Sequence, residues 1–416
     1  MPLSVKAEDW PQFRGIDRDN RSPETGLFKT MLGDEAPPLD WTAEELGEGY
    51  ASVSVVGGRI YTTGNFPNNQ SAVAIDAKTG RRLWIQPLTN EQPKHGYEGS
   101  RSTPTVDGDR LYMVTSNGSI VCLAAADGKE LWRRDFKDWD GNMMSGWGYS
   151  ESPLVDGNAV ICTPGGKKGQ VVSLDKMSGR DIWQCVLPNY ADETGTNGKP
   201  LKDGAGYSSP VISNGGGVKQ YIQLVGRGLI GIRANDGKLL WRYSRVANAT
   251  ANIPTAVIQD DFVFTSTAYE TGSALLKLVG KGSDEIDAQE VYWLNDRELQ
   301  CKHGGLVLSD GHIYCGHGNG NGMPICVNMS TGKIAWGPER TRQGSGEAAV
   351  VYGDGHVVMR RDDGWVLLVK ADPSKFQLVG SFKPAYQKGK SWAHPVISAG
   401  KLFLREQDKL MCYSIK

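Results

Sequence analysis

The 416-residue sequence has no apolar run long enough to cross a membrane as a helix and no sustained heptad pattern. A helical integral membrane protein and a coiled coil are both excluded. Charge of one sign is also missing: 46 Lys and Arg stand against 47 Asp and Glu, so the net field gives nucleic acid or an anionic membrane surface nothing to follow. Neither partner is expected. The seven cysteines include no CxxC pair, the spacing shared by zinc ribbons, thioredoxin-like centres and c-type haem attachment sites. Their odd number rules out a framework in which every cysteine is paired. Cys122, Cys162, Cys315, Cys326 and Cys412 lie inside apolar strand-like stretches (IVCL, VICT, IYCG, PICV, LMCY), where a free thiol acts as a small hydrophobe. The opening MPLSVKAEDWPQFRG lacks the basic start, apolar middle and small-residue cleavage site of a secretory leader.

What the sequence does have is a repeat. VCLAAADGKELW, ending at Trp132, returns as VAIDAKTGRRLW ending at Trp84, VVSLDKMSGRDIW at Trp183, LIGIRANDGKLLW at Trp241 and ICVNMSTGKIAW at Trp336. Each copy reads as an alternating apolar strand, a turn closed by Gly, and a second strand that reaches Trp four residues later. A hairpin cannot bury its own face, so repeated hairpins must stack. A second motif precedes each copy: SVSVVGGRIYTT from Ser52, STPTVDGDRLYMV from Ser102, ESPLVDGNAVICT from Glu151, SSPVISNGGGVKQYIQLV from Ser208 and NIPTAVIQDDFVFT from Asn252. GLVLSDGHIYCG from Gly305, EAAVVYGDGHVVM from Glu347 and AHPVISAGKLFLR from Ala393 complete the set. Eight units at roughly 50-residue spacing predict an all-β, eight-bladed β-propeller of four-stranded blades.

Two blades depart from the Trp rule. Blade 5 reads ALLKLVGKGSDEIDAQEVYWL with a longer charged turn, and blade 7 reads WVLLVKADPSKFQLVGSF with Phe382 near the Trp position. The eighth unit ends at KLMCYSIK, one strand short, while PPLDW (Pro37 to Trp41) carries an unassigned Trp near the start. Closure of the last blade by this N-terminal strand is predicted. The expected division is an irregular lead-in over residues 1–37 and one propeller domain over 38–416. Within the lead-in, the DRDN run from Asp17 to Asn20 is read as a solvated turn, since the remaining spacing of a calcium loop is absent. The glycine-rich runs TPGGKKG (Thr163 to Gly169) and GHGNGNG (Gly316 to Gly322) lack the following helix of a phosphate loop. They are read as blade turns, with His317 at the rim and Lys167 and Lys168 in solvent.

The turn-Gly followed by Trp, together with the TP-x-x-x-x-G strands, resembles the quinoprotein alcohol dehydrogenase-like, or PQQ-like, eight-bladed propellers, a family that includes BamB-like proteins. The resemblance spans about residues 38 to 416. DWPQFRG followed by ETGL resembles the lead-in of exported planctomycete-type members, some of them polyvinyl-alcohol dehydrogenase-like. The resemblance implies a periplasmic or secreted mature protein and offers three functions: ligand binding or turnover at the axis, a BamB-like protein-interaction scaffold, or pyrroloquinoline-quinone-dependent alcohol oxidation. Quinoprotein dehydrogenases hold the quinone between a Trp and a vicinal disulfide, with calcium and a catalytic Asp. Here no two cysteines are adjacent and no Asp matches, so this quinone is not expected.

In a propeller the residues just before the inner strands converge on one face of the axis. Those residues here are Tyr50, Tyr97, Glu98, Arg101, Trp147, Tyr149, Glu151, Tyr207, Asn252, His303, Glu347, Trp392 and His394. Glu151, Glu347, His303 and Arg101 are the candidates for acid–base work or for a divalent metal such as calcium. Tyr50, Tyr97, Glu98, Trp147, Tyr149, Tyr207, Asn252, Trp392 and His394 are the candidates for binding a polyol, sugar or related small ligand by stacking and hydrogen bonds. Plugging of the channel by the aromatic residues and ion pairing of the carboxylates are the structural alternatives. A carbohydrate ligand or a protein partner, and a monomeric state, complete the expectation.

Overall fold

A computed structural model describes residues 6, 8–282 and 285–416. Residues 1–5 and 7, within the opening that lacks a leader pattern, and residues 283–284 of the blade 5 turn lie outside them. Eight antiparallel sheets radiate around one axis. Blade 1 is built from Ser54–Val56, Arg59–Phe66, Asn69–Asp76 and Arg82–Pro87, in that order from the axis outwards. The next six blades repeat the order, and their short inner strands touch around the axis. Blade 8 takes three strands from the C-terminus and its outermost, Leu39–Ala43, from the N-terminus; Trp41 lies opposite Cys412 and Thr42 opposite Met411. The predicted closure is present.

The repeat has a steric explanation. A Cβ on Gly128 would lie 2.8 Å from the indole of Trp84, the Trp of the preceding blade; the corresponding distances are 2.7 Å from Gly179 to Trp132 and 2.5 Å from Gly237 to Trp183. At Gly80 the partner is Trp41, 2.6 Å away, so the N-terminal strand supplies blade 8 with its docking ring. Only glycine leaves room for these rings, and each of the four has a positive φ between 71° and 78°. The Trp132 and Trp183 indoles also donate to the Lys176 and Ala234 carbonyls of the next blade, both at 3.0 Å. In blades 1 to 3 the GxxxW unit thus makes two contacts, one with each neighbour.

Blade 5 has no matching turn glycine, and the Trp before it behaves differently. Trp241 turns into its own blade and donates to Gln220 Oε1 at 2.7 Å. In blade 7 Phe382 is buried against Tyr413, ring centroids 5.3 Å apart. All seven cysteines are buried free thiols.

Serine and threonine link the inner strands tangentially. The amides of Ser52, Thr103, Ser152 and Ser209 donate in turn to the hydroxyls of Thr103, Ser152, Ser209 and Thr255, each at 3.0 Å. The Ser52 hydroxyl donates to the His394 carbonyl at 2.7 Å. This belt joins blades 8 and 1 to 5 and satisfies buried amides that no sheet ladder reaches.

The lead-in crosses the axis. The Trp10 and Val55 backbones bond reciprocally, and Val106 donates to the Pro11 carbonyl. Arg18 donates to the carbonyls of Ser152 and Pro153 in blade 3, and Arg14 to those of Thr255, Ala256 and Leu306 in blades 5 and 6. Arg21–Ser22 then runs parallel to Tyr352–Gly353 on the inner strand of blade 7. The expectation of a solvated DRDN turn is corrected here: Asp17 is exposed, but Arg18 is buried as a donor to inner-strand carbonyls, and Asn20 is buried where its own carbonyl accepts from the Tyr352 amide. Lys167 and Lys168 are exposed as expected, whereas His317 is buried in the strand His312–His317 and accepts from the Gln300 amide.

Candidate functional site

Above the lead-in lies a cavity of about 380 Å³. Phe13 and Arg14 of the lead-in, together with Ser152, Ser209 and Thr255 of the belt, contribute to its lining. Tyr50, Tyr97, Trp147, Tyr207, Tyr269 and Trp392 contribute aromatic surface, with Ile253 and Pro254 between them. Of the thirteen residues selected from sequence, eight line this cavity: Tyr50, Tyr97, Arg101, Trp147, Tyr207, His303, Trp392 and His394.

The other five are elsewhere. Glu151 is buried between blades 3 and 4, where its carboxyl accepts from the Thr163 amide and Gln223 Nε2, both at 3.0 Å. Tyr149 packs on Phe136 and donates to the Pro164 carbonyl. Asn252 donates to the Val225 carbonyl and accepts from the Asn248 amide. Glu98 is exposed. Glu347 is buried behind Lys302, 3.8 Å from its Nζ, and accepts from the Gly320 amide.

Trp392 organises the aromatic wall. Its ring lies 4.8 Å from Tyr50, 5.0 Å from Tyr97 and 4.7 Å from His303, while its indole donates to Asp362 Oδ1 at 2.8 Å. Asp362 is also 3.2 Å from Lys390, so the indole is fixed from behind. Across the cavity the Tyr207 hydroxyl is 2.7 Å from Ser145 Oγ, and its ring meets Trp147 edge-on at 5.9 Å.

The electrostatics of the lining are one-sided. Arg14, Arg101 and Lys302 line it, and no carboxylate does among the described residues. Arg101 is held by the Gly96, Tyr97, Gly99 and Trp147 carbonyls and by His95 Nδ1, and lies 5.2 Å over the Tyr50 ring. Burial lowers the pKa of both Arg14 and Arg101 to about 10. Burial, reinforced by Lys302, lowers His303 to about 3; burial and the charge of Arg14 lower His394 to about 4. Both rings are therefore neutral at pH 7. His303 Nε2 and His394 Nδ1 are buried without a protein hydrogen-bond partner. Burial raises Glu151 to about 8 and Glu347 to about 7, away from the cavity.

Sequence reasoning missed Arg14, Phe13, Lys302 and Tyr269. Lys302 adjoins the selected His303, and Arg14 is a cation inside a segment that otherwise reads as loop. Tyr269 belongs to the turn between the two middle strands of blade 5 and has a positive φ of 60°.

The fold family implies a calcium–quinone centre, and these residues do not fit one. Among the described residues no three His, Cys, Asp or Glu side chains gather as a metal-ligand set, and the cavity offers no carboxylate to hold calcium or to accept a proton.

Residues 68–338 match the family described as "Outer membrane protein assembly factor BamB". A relative of that description from Kangiella koreensis is 31% identical over 35% of this chain and 34% of its own length. Another, from Nitrosomonas eutropha, is 24% identical over 76% of this chain and 69% of its own. The quinoprotein ethanol dehydrogenase of Pseudomonas aeruginosa is 24% identical over 44% of this chain. The matched region covers only 28% of that enzyme, so the chain spans about a third or less of the Kangiella and Pseudomonas relatives. Among solved structures, BamB from Moraxella catarrhalis has a TM-score of 0.63 at 13% identity, covering 92% of this chain and 98% of that one. The quinohemoprotein alcohol dehydrogenase of Comamonas testosteroni has 0.66 at 14%, covering 98% of this chain and 80% of that one. These structural likenesses show the fold.

Proposed function

From the premise that this chain belongs to the family described as outer membrane protein assembly factor BamB, we propose that it is a periplasmic or secreted propeller that binds a small, ring-bearing, hydroxylated or anionic ligand in its axial cavity. One observation carries the reading. A cavity walled by Trp147, Trp392 and four tyrosines is also lined by Arg14, Arg101 and Lys302 and, among the described residues, by no carboxylate. Aromatic faces beside cations favour a ring-bearing occupant that carries hydroxyl or anionic groups. Binding rather than acid–base turnover is what the lining supports, since its histidines are neutral and the carboxylates selected from sequence lie outside it. In keeping with a periplasmic or secreted protein, no helix among the described residues is long and apolar enough to cross a membrane.

A second reading, an interaction scaffold, is favoured by the exposed apolar side chains Leu83, Ile85, Leu131, Ile182 and Val186 on or beside the outermost strands of blades 1 to 3. Two variants separate the readings. With sugars, sugar acids and hydroxyaromatic acids as probes, Trp147→Leu is expected to weaken binding by about tenfold or more while Val186→Asp leaves it unchanged. Unchanged binding in Trp147→Leu, with binding lost in Val186→Asp, would overturn the cavity reading.

A further inference from the structure

The donors and acceptors around the cavity narrow the ligand further, on the premise that the cavity is the binding site. His394 Nε2 lies 3.3 Å from the His303 carbonyl. A carbonyl only accepts, so Nε2 carries the proton and, in the neutral ring, Nδ1 is a lone-pair acceptor. That Nδ1 is buried without a protein hydrogen-bond partner, and the neutral ring adds no charge to the cavity wall.

The requirement for charge arises at Lys302. Its ammonium is 5.5 Å from the centroid of the Tyr269 ring, and Glu347, at 3.8 Å, is beyond hydrogen-bond distance. Burial also pushes the Glu347 carboxyl towards its neutral form, which weakens it as a counter-charge. Arg14 and Arg101 add two further cations whose acceptors are neutral carbonyls and, for Arg101, a histidine nitrogen. A neutral sugar would leave Arg14 and Arg101 with neutral acceptors only and Lys302 with the distant Glu347; a carboxylate would supply a counter-charge in the partly desolvated wall.

We propose that the axial cavity selects a cyclic carboxylic acid, with its carboxylate on Lys302 in the field of Arg14 and Arg101 and its ring against Trp392 and Trp147. Sugar acids and hydroxyaromatic acids share this chemistry. Isothermal titration of the full chain with D-galacturonate and 6-hydroxy-2-naphthoate, each beside its uncharged counterpart, D-galactose or 2-naphthol, distinguishes the sources. At least one acid is expected to bind at least about tenfold more tightly than its counterpart, the scale of one charge-assisted contact. Lys302→Met should abolish that preference and Lys302→Arg should retain it, with melting temperatures recorded to confirm that both variants are folded. Equal affinity for acid and counterpart, or a preference surviving in Lys302→Met, would overturn the inference while leaving a ring-binding cavity. Failure of all four compounds to bind would overturn both readings.

Discussion

The two halves of the axis treat their polar groups differently. Through blades 1 to 5, serine and threonine answer one another from blade to blade, and each belt amide has its hydroxyl at 3.0 Å. Across blades 6 to 8 the repeat departs from this pattern: the corresponding stretches carry His303, Glu347 and His394, and both histidines present a buried nitrogen with no protein partner. The same architecture therefore contains a half satisfied along its belt and a half in which two ring nitrogens lack a protein partner, and residues of both line the cavity.

The largest expected effect comes from removing the lead-in that spans both halves. Deletion of residues 1–45 takes away the outermost strand of blade 8, the Trp41 ring on Gly80 and the Arg14 and Arg18 bonds to inner-strand carbonyls. Aggregation or self-association on a sizing column, with a lowered melting temperature, is expected; a soluble monomer melting like the full chain would contradict the assigned role.

Next is the pH response of Glu151, a carboxyl of the satisfied half. Burial raises it from the ordinary 4.5 to about 8. Below pH 4.5 both folded and unfolded chains hold this proton. Between that value and about pH 8 the unfolded chain releases it while the fold retains it, so stability falls as pH rises, by at most about 1.4 kcal/mol for each pKa unit separating the two states. Glu151→Gln has no proton to lose and should melt with less pH dependence than wild type over this window. Parallel curves would show that Glu151 is not shifted.

The eight-bladed fold was legible because the repeat records contacts: the spacing from turn Gly to Trp is the reach from one blade to the next. The site was legible only in part, because choosing residues near the inner strands ignored which way alternate side chains point. Ser150 and Ser152 line the cavity while Tyr149 and Glu151 do not; Ala251 and Ile253 line it while Asn252 does not. The parity of the belt residues Ser152, Ser209 and Thr255 would have separated these pairs. The axial course of the lead-in was not legible, since Arg14 and Arg18 bond to main-chain carbonyls, which leave no pattern in sequence.

The most direct measurement compares one residue from each half by unfolding free energy in denaturant, without any ligand. Thr103→Val removes a belt hydroxyl and leaves the Ser52 amide unpaired, an expected cost of about 1–3 kcal/mol. His303→Phe retains a ring beside Trp392 and removes a nitrogen that has no protein partner, so its stability should stay within about 0.5 kcal/mol of wild type, or exceed it. A loss in His303→Phe as large as that in Thr103→Val would make the histidine a structural member of the ring and contradict the distinction between the belt, which holds the blades together, and the histidines, which do not.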